Sequence, residues 1–295
     1  MQVSINGHSY RFAADVMSCQ DTRDGYFQLA NSIYGLKFDQ WYNAGYWDNK
    51  FIPYALYDAE TAVSGVAVCI NEVTWQNLMK CYVQISTVMT LPEYRGKGLS
   101  RWLMDYVLHE WEGKCDAVYL LANDSVVDYY PKFGFAKFTE YDFTVPIKKI
   151  KGDCKKLNIT DAEDLDKIVK KYRISNPYAA LKVKNLSQFM FHCLHFLSEN
   201  IYYMEQFDAV AVAEHDGNKL ICYDIFAESD GQLHEILGVL SNEKTEIAYL
   251  GFTPKSSLNC TIKESQEENN HLFVLSGKEN IFKDNKVIFP LLSRA

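Results

Sequence analysis

One stretch constrains this chain more than any other: Val88-Met89-Thr90-Leu91-Pro92-Glu93-Tyr94-Arg95-Gly96-Lys97-Gly98-Leu99-Ser100. A strand feeds into it from Cys81, with Cys81, Val83, Ile85 and Met89 alternating onto one face, and Leu91-Pro92 ends that strand because proline cannot donate to a ladder. A helix leaves it, because Leu99, Trp102, Leu103, Tyr106 and Val107 recur at helical spacing with Ser100, Arg101, Asp105 and His109 on the wet side. A strand joined to a helix by a glycine-rich turn aims free backbone N–H groups and the positive helix end at one point, which suits a phosphate. Gly96 and Gly98 let the main chain approach an anion, and Arg95 and Lys97 add charge. Two familiar phosphate loops are excluded. A dinucleotide fingerprint needs glycine where Arg101 stands, and a Walker loop needs Ser or Thr where Gly98 stands.

Around this segment the chain alternates strands and helices, as a mixed α/β sheet requires. Ile52–Tyr57 and Ala62–Ile70 read as the arms of a hairpin turning at 58–61. Ala117–Ala122 is apolar throughout, as a strand buried on both faces should be. Asn123-Asp124 then offers a cap for a short helix closing at Phe133-Gly134. Phe138–Val145 reads as a further strand and Lys148–Gly152 as a linker. The second half restarts with Thr160-Asp161-Ala162-Glu163, a capping box opening a helix to about Tyr172. A helix over Leu186–Ser198 comes next. Then come a hairpin (Ala209–Glu214 and Lys219–Ala227), a helix over Gln232–Leu240 and a strand over Glu246–Phe252. This order echoes the first half without any repeat at the residue level.

At 295 residues, and about 100–200 residues per domain, two domains are expected. The formal charge of −8 argues against nucleic acid or an anionic membrane as partner. No basic start followed by an apolar run opens the sequence, and no apolar stretch approaches the ~20 residues of a membrane helix. Eight cysteines without a Cys-x-x-Cys pair read as reduced thiols of a cytoplasmic protein. His192-Cys193-x-His195 has the look of metal ligands, but it lies in an apolar helix without a nearby acid. It reads as core, and no metal is expected.

Arg95-Gly96-Lys97-Gly98-Leu99-Ser100 resembles the pyrophosphate loop of the GNAT (N-acetyltransferase) superfamily, Arg/Gln-x-x-Gly-x-Gly/Ala, with Ser100 in place of the last small residue. The preceding Leu-Pro-Glu-Tyr is also family-like. A second segment, Asn123-Asp124-Ser125-Val126-Val127-Asp128-Tyr129-Tyr130-Pro131-Lys132-Phe133-Gly134-Phe135, resembles the same family in its Tyr-x-x-x-Gly-Phe ending and its Asn after a buried strand. The resemblance covers roughly residues 1–147 and implies a GNAT fold there. Residues 153–295 would form a smaller, degenerate GNAT-like domain without a pyrophosphate loop, binding no coenzyme A. In that respect the chain resembles tandem acetyltransferases of the enhanced-intracellular-survival type. Those add a third, sterol-carrier-like domain for which 295 residues leave no room, and nothing of their C-terminal catalytic carboxylate is carried over.

The resemblance further implies an acetyl-CoA-dependent N-acetyltransferase acting by direct ternary-complex attack on a primary amine of a small molecule or peptide. The N–H groups of Arg95, Gly96, Lys97, Gly98, Leu99 and Ser100 would cradle the pyrophosphate. The main chain of Val88 and Met89 would pair with the pantetheine arm, and Asn123 would bond that arm or its surroundings. Tyr130 would protonate the leaving thiolate, its spacing to Gly134 favouring it over Tyr129. Glu72, near the end of the hairpin strand, is the candidate general base. The aromatic stretch Trp41, Tyr42, Tyr46 and Trp47 would wall the acceptor site, since aromatic faces suit a cationic amine. The alternative is a non-catalytic acyl-CoA-binding or regulatory module. The oligomeric state is left open.

Overall fold

The hairpin expected at Ile52–Ile70 forms the middle of a large sheet, and the chain builds outward from it. The computed structural model describes residues 1–230, 232–256 and 259–295. Gly231, in the turn before the helix expected at Gln232, lies outside the described residues. In chain order the first elements are β1 (Gln2–Ile5), β2 (His8–Ala13), α1 (Gln20–Tyr34), α2 (Phe38–Asn43), β3 (Phe51–Asp58), β4 (Thr61–Trp75), β5 (Leu78–Thr90), α3 (Leu99–Glu110), β6 (Ala117–Ala122), β7 (Phe135–Phe138) and β8 (Tyr141–Pro146). Next are β9 (Lys155–Lys156), α4 (Ala162–Ile174), β10 (Lys182–Lys184), α5 (Leu186–His195), β11 (Ile201–Met204), β12 (Ala209–Asp216) and β13 (Lys219–Phe226). The last are α6 (Leu233–Leu240), β14 (Ile247–Leu250), β15 (Thr261–Glu264) and β16 (His271–Leu275).

Two mixed sheets result. The first runs β1-β2-β3-β4-β5-β6-β16-β7, with β10 paired to β4 beyond the end of β3. The second runs β15-β8-β14-β13-β12-β11-β9. In each, one pair of parallel strands flanks a helix: β5 and β6 around α3, β13 and β14 around α6. The two units are interlocked. Strand β16 leaves the second half and inserts between β6 and β7, while β8 leaves the first half and pairs with β14 and β15. The boundary expected between residues 147 and 153 is therefore crossed by strands in both directions. The expected strand Phe138–Val145 is two strands in different sheets, parted at Thr139-Glu140.

The first sheet is apolar on both faces. Val66 and Val68 pack with Leu99, Leu103 and Val107 of α3, while Ala67 and Cys69 turn to α1 and α2 with Tyr26, Leu29 and Trp41. Met89 departs from the expected face. Gly65 pairs with Met89 and Ala67 with Ser86, so Thr87 and Val88 together oppose Val66. That bulge adds one residue and reverses the alternation beyond it. Val83 and Ile85 accordingly face α3 and Met89 faces α1. Among the described residues no helix is long and apolar enough to cross a membrane.

The crossing between sheets is held by a buried ion pair. Arg294 Nη2 donates to Glu140 Oε2 at 3.0 Å, Nη1 to Glu267 Oε2 at 3.0 Å, and Phe289 N donates to Glu140 Oε1 at 2.7 Å. Both Arg294 and Glu140 have less than a tenth of their side chain exposed. Removing one partner strands the other charge. Arg294→Met should cost about 3–5 kcal/mol in urea unfolding, and the double change with Glu140→Met markedly less than twice that.

Candidate active site

Strands β5 and β6 pair only from Tyr82–Ala117 to Ile85–Leu120 and then diverge. The bulge at Thr87-Val88 bends β5 just where the pairing stops. Between the diverging strands opens a cleft of about 630 Å³, with Ser86 to Thr90 on one wall and Leu121, Ala122, Asn123 and Ser125 on the other. The backbone groups of β5 that would have bonded β6 face this space instead.

The glycine-rich turn closes one end. Arg95 and Ser100 line the cleft, and Gly96 and Gly98 form the turn between them at φ +76° and +85°. Gly98 is the N-cap of α3, and no side chain caps that end. The first N–H groups of the helix are thus left to an external acceptor. The turn is anchored behind: Asn6 Nδ2 donates to Lys97 O at 2.9 Å, and Arg95 Nε to Thr90 O at 3.3 Å. Lys97 lies over the Tyr94 ring, whose hydroxyl donates to Asp58. Leu99 points its side chain into the core.

The opposite wall brings the second sequence segment to the same cleft. Asn123 caps the short helical turn after β6, its Oδ1 accepting from Ser125 N at 3.1 Å and Ser125 Oγ at 2.6 Å. Tyr129 donates its hydroxyl to Ser100 Oγ at 3.0 Å, tying this segment to the glycine turn. Tyr130 lines the cleft, is 6% exposed, and has its phenol pKa pushed well up by burial and by Tyr34 and Tyr129 beside it.

Residues 52–137 match the family model described as the acetyltransferase (GNAT) domain. The chain carries a GNAT acetyltransferase domain. No curated protein matches the sequence. Among solved structures, one from Enterococcus faecalis V583 described as a probable N-acyltransferase superposes at TM-score 0.60 and 13% identity, over 90% of this chain and 72% of that one. A GCN5-related N-acetyltransferase from Kribbella flavida gives 0.56 at 16% identity over 90% and 71%. Eis1 from Mycobacterium abscessus gives 0.56 at 12% identity over 89% and 73%. At such identities the likeness is one of fold, and it runs through both halves of the chain.

Within the GNAT domain, Val88, Met89, Arg95, Ser100, Asn123 and Tyr130 come together on one cleft. Glu72 does not join them. It opposes Cys81 and Lys184, five residues along β4 from the Ala67–Ser86 pair, roughly 17 Å at strand rise. Strand β10 pairs with β4 there and carries that stretch away from the cleft, so Glu72 is corrected to a sheet residue. The aromatic wall is corrected too. Trp41 is buried against Trp47, Phe51 and Phe191 of α5, with ring centroids 4.5–5.3 Å apart. Tyr42 takes a hydrogen bond from Arg23, and Tyr46 packs at the seam between the units. Trp41 joins α2 to α5, Tyr42 packs on α1, and none of the four rings lines the cleft.

Five cleft residues carried no sequence signal: Ile33, Tyr34, Ser86, Thr87 and Ala295. Tyr34 sits near the end of a helix, α1, whose mixed composition gives only a weak apolar stripe. Ala295 is brought in by tertiary contacts alone. Its N–H donates to Gln84 Oε1 at 2.9 Å and its main-chain oxygen accepts from Gln84 Nε2 at 2.8 Å. Arg294 O accepts from Gln188 Nε2 and meets His192 Nε2, both at 2.8 Å. His195 is held between the carbonyls of Phe191 and Lys37. Both histidines are thus spent on backbone, and among the described residues no group of three or more His, Cys, Asp or Glu could hold a metal.

The second unit has the equivalent crevice, closed. Asp224 pairs with Val212 and Cys222 with Ala213, so Tyr223 is an extra residue that bulges β13 as Thr87-Val88 bulges β5. Where β13 leaves β14, the segment Asn176–Leu181 fills the gap. Ala180 N donates to Thr253 O and Lys255 N to Tyr178 O, both at 2.8 Å. Asn176 Nδ2 donates to Asp224 Oδ1 at 2.5 Å. About 10 Å³ remains, room for at most one water.

Substituting Gly98→Ala meets a left-handed backbone and Asn6 Nδ2 at 3.0 Å from the new Cβ, and should cost about 1–2 kcal/mol in thermal or urea unfolding. Burial holds the His192 imidazole down to about 4 against an ordinary 6.5, so the unfolded chain takes up a proton that the folded one refuses. The stability it confers is full above about pH 6.5 and is lost as pH falls toward 4, at up to ~1.4 kcal/mol per pH unit. His192→Gln should flatten that part of a urea-stability profile.

Proposed function

We propose that this protein transfers the acetyl group of acetyl-CoA to a primary amine of a small molecule or peptide by direct attack in a ternary complex. The observation that carries the reading is a single cleft with an anion-seeking glycine turn at one end and a buried, protonated phenol beside its wall. The donor set suits the coenzyme: Arg95, the open first turn of α3 and Ser100 match a pyrophosphate, and the edge of β5 at Val88-Met89, where β6 no longer pairs with it, matches an amide-bearing arm. When bound, acetyl-CoA supplies an acetyl group activated as a thioester.

The chain's own residues would divide the work. The N–H groups from Arg95 to Ser100 hold the phosphates, and β5 beyond Ile85 orients the arm along the cleft. A main-chain N–H of the bulge can donate to the carbonyl oxygen as charge develops there. Tyr130 stays protonated because burial disfavours its phenolate, and it delivers its proton to the departing sulfur. Among the described residues no Asp, Glu or His lines the cleft, so the amine surrenders its proton to water in the open end. The same lack of an acid or imidazole favours a second reading, a coenzyme-binding module without turnover. Release of thiol from acetyl-CoA over a panel of amines separates the two, since a binding module stays at the hydrolysis background.

Calorimetric titration with acetyl-CoA should give one site per chain, because the second crevice is filled. Tyr130→Phe should lower kcat roughly 100-fold or more while leaving the affinity for acetyl-CoA within about twofold. Unchanged turnover in that variant would remove Tyr130 from the chemistry.

A further inference from the structure

The bulge of β5 is strained and tightly held. Thr87 is β-branched yet adopts φ +44°, a left-handed backbone that such residues avoid. Strain of this kind persists only where neighbours over-determine it, and an observed outlier is a pointer to function. Three side chains fix the bulge. Tyr26 of α1 shares a 2.8 Å hydrogen bond with Thr87 Oγ1, Tyr34 two turns later donates to Val88 O at 2.8 Å, and Ser64 donates to Met89 O at 3.0 Å. Tyr26 is fully buried and can reach Thr87 only because residue 65 is glycine. A Cβ there would lie 3.0 Å from the Tyr26 ring and 3.1 Å from Met89 Cε.

We propose that Tyr26 and Tyr34 are positioning residues: by clamping Thr87 and Val88 they fix the main chain against which the acyl thioester lies opposite Tyr130. The role rests on the acetyl-transfer reading. Helix α1 packs on one face of the sheet and the glycine turn leads to α3 on the other. The bond at Thr87 therefore governs the acyl end of the cleft, while Tyr34 also lies near Arg95 of the phosphate end. A displaced bulge still admits the coenzyme but holds the reacting carbonyl out of line. Misplacement by about an ångström can cost 100-fold in rate.

The test uses the full chain, with Tyr26→Phe, Thr87→Val and Tyr34→Phe. Each removes one hydroxyl and keeps its bulk. Wild-type turnover is measured first, then kcat, KM for acetyl-CoA, and the affinity for coenzyme A without its acyl group. Tyr26→Phe and Thr87→Val should each lower kcat roughly ten- to a hundredfold, with KM and coenzyme A affinity within about twofold. Their double variant should be no slower than the worse single one, because both delete the same bond. Tyr34→Phe should lower kcat as well, with an added modest loss of coenzyme A affinity because Tyr34 also faces Arg95. A kcat at the wild-type level in Tyr26→Phe and Thr87→Val overturns the role while leaving acetyl transfer intact. So does a loss that appears equally in coenzyme A affinity, since that marks general unfolding of the site. A wild-type chain that binds acetyl-CoA yet acetylates no amine overturns the transfer reading first, and this role with it.

Discussion

Everything at the site depends on where β5 stops bonding to β6. A buried main chain must find partners for its N–H and C=O groups, and a pair of parallel strands supplies them only while the strands stay in register. Beyond Ile85 and Leu120 the register ends, and β5 faces a cavity with no neighbouring strand on that side. The protein meets that problem twice in different ways. In the first unit the edge is kept open, beside the capless end of a helix and a buried tyrosine. In the second, residues 176–181 bond across the gap at Tyr178 and Ala180, and the crevice shrinks to the size of a water. Two units with the same parallel pair and the same bulged strand thus differ in whether the edge is offered to a ligand or satisfied from within.

The seam between the units is built from unlike materials. On one side Trp41, Trp47, Phe51 and Phe191 pack ring against ring, contributing area and edge-to-face contacts. Beside them runs a buried polar chain. Asn185 Nδ2 donates to Asn71 Oδ1 at 3.1 Å, Asn71 to the Tyr119 hydroxyl at 2.9 Å, and Tyr119 to Gln84 Oε1 at 3.2 Å. Gln84 in turn brackets Ala295. Such a chain contributes geometry more than net stability, because each bond replaces one to water. Its members come from β4, β5, β6 and the N-cap of α5, so the placing of residue 295 beside the cleft is a joint product of both units.

The parts of this molecule that were legible in the sequence are those governed by local rules. The glycine turn, the stripe of α3, the apolar run of β6 and the cap at Asn123 each arise from spacing within a few residues, and each stands where expected. The hidden parts depend on partners distant in the chain. The face of Met89 turned on one bulge residue, which alternation alone cannot reveal. Glu72 looked like a strand-end carboxylate until β4 proved to run on to Trp75 and to pair with β10. The aromatics at 41–47 could have faced a ligand or a helix; Phe191, far along the chain, decided it. No pattern within β8 or β16 announces that they trade sheets, since an exchanged strand has the same composition as one that stays.

That exchange sets a schedule for the chain as it is made. The cleft's two walls, the glycine turn and Tyr130 are all encoded before residue 135, yet the sheet that carries them has a gap between β6 and β7 until His271–Leu275 arrives. At about 5–20 residues per second, a nascent chain has made β6 and β7 well before the strand that joins them. Closing that gap is a long-range event with a large entropy of loop closure, of the kind that slows folding. The half that carries the cleft therefore cannot complete its sheet until residue 275 has been made, although its glycine turn and Tyr130 come early in the chain.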